Sequence, residues 1–115
     1  MADSRSCIFC RIARGEIPAQ MVMSNKDVAA FKDLDPQAPV HVLIIPKKHV
    51  ASLDDATDPD LLGRMMAFAA AIARQEGIAK SGYRTVINTG KDGGQSVDHL
   101  HVHLLGGRAM TWPPG

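Results

Sequence analysis

No apolar run in this chain approaches the ~20 residues that a membrane span requires, so insertion into a bilayer is not expected. The opening residues, MADSRSCIFC, lack the apolar stretch of a secretory signal. Charge of one sign is missing as well. Thirteen basic and twelve acidic side chains leave a formal net charge of +1, too weak a field to favour a nucleic-acid polymer as partner. Only two cysteines are present, too few for the disulfide scaffold of a small secreted domain. Internal repeats, low-complexity tracts and linkers are absent too. These absences point to a single domain over residues 1–115, with the cytoplasm as its expected location. A domain of this length buries roughly two-thirds of the surface its unfolded chain exposes. Its 45% hydrophobic and 22% charged content fits an ordinary globular protein.

Local patterns supply the elements. A short helix is expected from Phe9 to Ala13, stopped by Gly15 and Pro18. The runs AQMVMS and DVAAFKD flank the turn-like NKD and read as a hairpin. VHVLIIPK reads as an apolar strand stopped near Pro46, with its His41 able to face either way. The longest element is a helix, with Asp58 as N-cap and Pro59 at the first helical position. Leu61, Leu62, Met65, Met66, Ala69, Ile72 and Ala73 recur at helical spacing, and Gly77 can close the helix. The methionine pair reads as core filling. YRTVINT and, beyond GKDGGQSV, HLHVHLL read as two further strands. The predicted fold class is α+β, a mainly antiparallel sheet with one long helix and short helical segments.

HLHVHLL carries most of the chemistry. On a strand, alternate side chains point to opposite faces, so His99, His101 and His103 share one side and Leu100, Val102 and Leu104 the other. The apolar side is core. A single metal cannot readily hold all three imidazoles, because the outer two lie ~13 Å apart on a flat strand, while two imidazole arms and their metal bonds span about 12 Å. Two of them at i and i+2 could still chelate. Satisfied core histidines are the bland alternative, and strict alternation of three argues against it. Phosphoryl chemistry remains: a neutral imidazole oriented through its other nitrogen is a competent nucleophile, and neighbouring imidazoles can hydrogen-bond phosphate oxygens. In GKDGGQS, Gly93 and Gly94 permit close backbone approach to a phosphate, and Ser96 adds a hydroxyl. Read alone, Asp-Gly-Gly is a hairpin turn.

HLHVHLL resembles the alternating signature of the histidine-triad (HIT) superfamily. GGQSVDHLHVHLLGGRAMTWPPG, with EIPAQ, DLDPQAPVHVLIIPKKHV and GYRTVINTGKDGGQS, is similar to the Hint branch, the purine nucleoside phosphoramidases, over about Cys7 to Gly115. The resemblance implies a HIT-like fold and a homodimer. It also implies hydrolysis of nucleoside 5′-monophosphate conjugates through a nucleotidyl-histidine, with no cofactor required for the chemistry. In that reading His101 is the nucleophile, His103 bonds the phosphate or bridging atom, and His99 is a buried support. Ser96 contacts the leaving amine, Gly94 and Gln95 line the phosphate, and Asn88 touches the nucleotide. Asp33 takes the ribose hydroxyls with Leu34 beside it, and Phe9, Ile12, Ile17 and Phe31 wall the purine. Each of those apolar residues could equally be ordinary core, and Asp35 reads as a turn residue.

Two positions depart from the branch. Asp98 stands where relatives carry an aromatic or apolar residue, and Thr111 where they often have histidine. Cys7 and Cys10, spaced C-x-x-C, would complete a Cys₂His₂ zinc set with His49 and His99. Free thiols are the alternative, and a redox pair is a third reading that lacks the βαβ pattern of thioredoxin-like proteins. Two other functions stay open from the sequence: hydrolysis of dinucleoside polyphosphates, and a nucleotide-binding module that regulates partner proteins with catalysis incidental.

Overall fold

Asp58 and Pro59 begin the long helix as their chemistry requires. In a computed structural model, which describes residues 5–115, the Asp58 carboxylate accepts from the Asp60 N–H at 3.0 Å. The first four residues of the expected 1–115 domain lie outside those described. The other described helices and strands are α1 (Ile8–Ala13), β1 (Met21–Ser24), β2 (Val28–Lys32), β3 (Val40–Pro46), β4 (Tyr83–Val86), α3 (Gly90–Gly93) and β5 (Val102–Gly106), with the long helix, Pro59–Gln75, as α2. A single 3₁₀ turn covers Leu53–Asp55. Beyond α2, Gly77 takes φ +77°, and Ile78 N–H reaches back to the Ala73 carbonyl at 3.0 Å, closing the helix. No helix among the described residues is long and apolar enough to cross a membrane.

Among the described residues, five strands form one sheet in the order β1-β2-β3-β5-β4, every pair antiparallel. Period-two alternation divides β2, β3 and the histidine segment between two cores. Val28, Ala30, Val42, Ile44, Leu100, Val102 and Leu104 pack under Leu61, Met65, Ala69, Ile72 and Ala73 of α2. Ala29, Phe31, Leu43 and Ile45 face the other way and pack with Cys7, Phe9, Cys10 and Ile12 at α1. The α+β class and the mainly antiparallel sheet therefore stand as expected.

Four local expectations need correction. The histidine strand does not pair along 99–105: its ladder begins at Val102. Two residues beyond the last β3 pair, Ile44 with Val102, β3 reaches Pro46, which has no N–H to continue the ladder. Side-chain alternation survives nonetheless, with Leu100 joining Val102 and Leu104 in the α2 core. YRTVINT is a strand only to Val86. The glycine segment is not a tight hairpin turn but a short helical turn, α3, ended by Gly94 at φ +79°. The methionine pair splits: Met65 is 1% exposed and Met66 39%, since neighbouring helical residues diverge by about 100°.

Candidate active site

On the α1 face of the sheet lies a cleft of about 240 Å³. Helix α1 contributes Phe9 and Ile12, the segment after it Ile17, and the end of β2 Phe31, followed by Asp33 and Leu34. Ser96 enters from the segment after α3, and His101 and His103 from the histidine segment. All nine residues are gathered here, although Leu34 is 97% exposed.

Four other expected residues stand outside the lining. The Gln95 carboxamide is engaged by backbone: Oε1 accepts from Gly90 N–H at 3.0 Å, and Nε2 donates to the carbonyls of Ala51 and Val97 at 2.8 and 3.0 Å. It therefore shapes the loop that carries Ser96. Asn88 backs the same loop, where a Cβ on Gly93 would lie 3.7 Å from the Asn88 carbonyl carbon. Gly94 provides that loop's left-handed turn. His99 is wholly buried behind the cleft.

The ring nitrogens form two directed chains, with proton positions assigned by the hydrogen-bond network. His99 Nε2 donates to the Pro46 carbonyl at 2.8 Å, which leaves Nδ1 as the lone-pair nitrogen. His101 Nδ1 donates to the carbonyl of His99 at 2.7 Å. That bond places the lone pair of His101 on Nε2. The second chain begins at the Gln37 N–H, which donates to His41 Nδ1 at 3.0 Å. His41 must then carry its proton on Nε2, 2.9 Å from His103 Nδ1 and 3.4 Å from Asp33 Oδ2. His103 accepts at Nδ1 and so bears its proton on Nε2, a buried atom with no protein partner among the described residues. One imidazole thus offers a lone pair while its neighbour offers an N–H.

Burial favours the neutral form of His103 and His41. It lowers His103 to about 4, with the adjacent His101 and His41 imidazoles adding to the shift and Asp33 opposing. Burial likewise lowers His41 against the pull of Asp33 and Asp35. The Asp33 carboxylate is held by the N–H of Asp35 on Oδ1 at 2.8 Å. Phe9 stands edge-on to His101 with ring centres 5.1 Å apart, and to Phe31 at 5.5 Å.

Sequence reasoning missed His41, and also Ile8, Pro18, Ala19, Lys32, Leu43 and Val97 of the lining. A signal for His41 exists. It has the parity of Leu43 and Ile45, opposite to Val42 and Ile44, but a continuous apolar run hides which parity faces the core.

Behind the cleft, Cys7, Cys10, His49 and His99 place one ligand atom each within 4.8 Å of one another. Cys7 Sγ lies 3.3 Å and Cys10 Sγ 3.5 Å from His99 Nδ1, and Cys10 Sγ lies 3.3 Å from His49 Nδ1. Because His99 holds its proton on Nε2, its Nδ1 lone pair faces the sulfurs, as metal ligation needs. This donor set fits a tetrahedral zinc ion. Burial first, then the neighbouring Cys7, pushes the metal-free Cys10 thiol up to about 11. Asp33, His41 and His103 form a second group of comparable spacing. There the Gln37 N–H occupies His41 Nδ1 and fixes the proton on the inward nitrogen, which suits proton wiring rather than a cation.

The HIT domain family pattern matches residues 14–110. The purine nucleoside phosphoramidase of Escherichia coli K12 is 50% identical over 105 residues, 90% of this chain and 88% of its own. The crystal structure of a HIT family hydrolase from Legionella pneumophila matches with a TM-score of 0.94 at 53% identity, covering 96% of this chain and 100% of that one. A zinc-bound histidine triad family protein from Mycobacterium smegmatis matches with a TM-score of 0.81 at 33% identity, covering 92% and 78%.

Proposed function

The chain belongs to the HIT domain family, and from that premise we propose that it is a hydrolase cleaving purine nucleoside 5′-phosphoramidates and related nucleoside monophosphate conjugates. The observation that carries the reading is the 2.7 Å bond from His101 Nδ1 to the His99 carbonyl, because it frees Nε2 of a cleft-lining imidazole for attack. His101 Nε2 attacks the α-phosphorus, the P–N bond breaks, and the leaving amine takes a proton from solvent. Water then cleaves the nucleotidyl-histidine, releasing the nucleoside monophosphate and restoring the free imidazole.

The other residues take roles by what they offer. His103 Nε2–H donates to a phosphate oxygen or the bridging atom, and Ser96 contacts the leaving amine. Asp33 accepts the ribose hydroxyls beside Leu34, and Phe9, Ile12, Ile17 and Phe31 enclose the purine. Backbone at Gly94 and Gln95 approaches the phosphate, with Asn88 beside it, and His99 positions His101. The 50% identity to the Escherichia coli purine nucleoside phosphoramidase supports the substrate class.

The chemistry needs no cofactor. A zinc ion on Cys7, Cys10, His49 and His99 would be structural, fastening α1 to the segment ahead of β5; the zinc-bound Mycobacterium smegmatis relative supports that reading. The protein works as a single-domain homodimer in the cytoplasm, where thiol ligands stay reduced.

Steady-state turnover of adenosine 5′-phosphoramidate, set against adenosine polyphosphates, tests the assignment. Faster P–N cleavage is expected, with an acid-labile adduct on His101 in quenched protein and loss of turnover in His101→Ala. Preferred cleavage of polyphosphates would move the chain to dinucleoside polyphosphate hydrolysis. Tight binding of AMP without turnover would make it a binding module.

A further inference from the structure

Helix α1 serves two places at once. Its N-cap Cys7 and its residue Cys10 turn sulfurs toward His99 and His49, whereas Ile8, Phe9 and Ile12 line the nucleotide cleft. Six residues make less than two turns, and a helix this short has no stability of its own. Its seat is set by what holds it, so the sulfur side and the cleft side move together. Both cysteines are buried, Cys7 at 8% exposure and Cys10 at 3%. Cys7 also lines a second opening of about 310 Å³, bordered by Ser6, Ile8, Ser96, Val97 and Asp98.

We propose that the Cys7–Cys10 pair is an oxidation site for a peroxide, whose closure to a disulfide expels the metal and weakens nucleotide binding in the adjoining cleft. This rests on the nucleotide and zinc readings above. In the metal-bound form both sulfurs are thiolates, the reactive species. Cys7, the more exposed of the pair and the one that borders the opening, attacks one peroxide oxygen, breaking the O–O bond and giving a sulfenic acid and hydroxide. The Cys10 thiolate then attacks Cys7, the S–S bond forms, and a second hydroxide leaves. Two protons from solvent convert the hydroxides to water. The pair has lost two electrons and peroxide has gained them.

Sulfurs spaced for a metal must close to ~2.05 Å in a disulfide, which turns them from His49 and His99, and two imidazoles alone hold zinc poorly. Phe9 lies between the two cysteines in sequence and against His101 at 5.1 Å, so a shift of this turn alters the purine wall. Coupling between two sites is reciprocal. AMP must therefore tighten zinc by the same factor by which zinc tightens AMP.

The test uses the full chain in three states: zinc-loaded and reduced, chelator-treated and reduced, and hydrogen peroxide-treated. AMP affinity is measured by calorimetry, beside zinc release and thiol titration. Peroxide is expected to release about one zinc per chain with loss of both thiols and to weaken AMP binding about tenfold. Dithiothreitol followed by Zn²⁺ should restore it, which oxidised methionine would not permit. In Cys10→Ser, AMP affinity should not respond to peroxide. Zinc release and disulfide formation with unchanged AMP affinity would overturn the proposal, as would thiols that resist peroxide. A chain that never takes zinc refutes the metal reading, and the dithiol–disulfide comparison then decides whether the pair alone controls the cleft. AMP that fails to bind even the zinc-loaded form refutes the nucleotide reading and the proposal with it.

Discussion

Three imidazoles on one segment differ in role because each has a different partner. His99 turns its lone pair to sulfur, His101 turns its lone pair to the cleft, and His103 turns an N–H there. Replacing His103 with alanine removes one donor to the transition state, so turnover should fall by roughly 10- to 1000-fold with AMP affinity changed far less. An equal loss in both would make His103 a binding group only. The same ring has a signature in stability. Burial lowers His103 from its usual 6.5 to about 4, so between those values the unfolded chain takes up a proton that the folded one refuses. Its contribution is fully present above about pH 6.5 and is lost as pH falls toward 4, with a slope approaching ~1.4 kcal/mol per pH unit for one group. Chemical denaturation across that range should give a shallower pH dependence in His103→Asn than in the parent. Parallel curves would mean that the ring titrates normally.

Among the elements, the turn after β5 carries a constraint that sequence shows only as a pair of glycines. Gly107 has φ +89°, and a Cβ there would meet Pro39 Cβ at 2.9 Å. The next residue, Arg108, donates from Nε to the Gln37 carbonyl at 3.0 Å, in the loop whose Gln37 N–H orients His41. Gly107→Ala should cost about 2 kcal/mol in urea unfolding, left-handed strain and overpacking together, and should reduce turnover. Gly94, also left-handed but with no described atom within 4 Å of where a Cβ would lie, should lose only ~1 kcal/mol as alanine. Equal costs at the two sites would show that strain alone governs both.

For the whole molecule, the sheet ends at β4, whose outer edge has no partner strand among the described residues, and an exposed edge invites pairing with a second copy. Tyr83 on that strand and Met66 on α2 are each 39% exposed. From β4, Arg84 Nη2 donates to the Thr111 carbonyl at 2.9 Å, and its guanidinium lies 6.0 Å from the Trp112 ring centre, so the tail is tied to the edge strand. Sedimentation should show a dimer. Removing residues 111–115 should shift leaving-group preference more than AMP affinity, because the tail would approach the partner's site. A concentration-independent monomer would refute the dimer, and equal losses across substrates would leave the tail only a structural part.

The sequence by itself determined what short-range periodicity and covalent chemistry control. Asp58 and Pro59 start α2 and Gly77 ends it because capping is local. The three histidines share a face because strand alternation is local, and their segment with its flanking stretches carries the resemblance to the HIT superfamily. Tertiary structure decided what depends on register and on residues far apart in the chain. His41 meets His103 across 62 positions, and only the pairing of Leu43 with His103 puts them side by side. Gln95 read as a phosphate neighbour, yet its carboxamide goes to Ala51, 44 positions away, a partner no local pattern reveals. The histidine ladder starts at Val102 because Pro46 on the neighbouring strand cannot donate. Periodicity assigns a residue to a face; which residue waits opposite is settled only when the strands align.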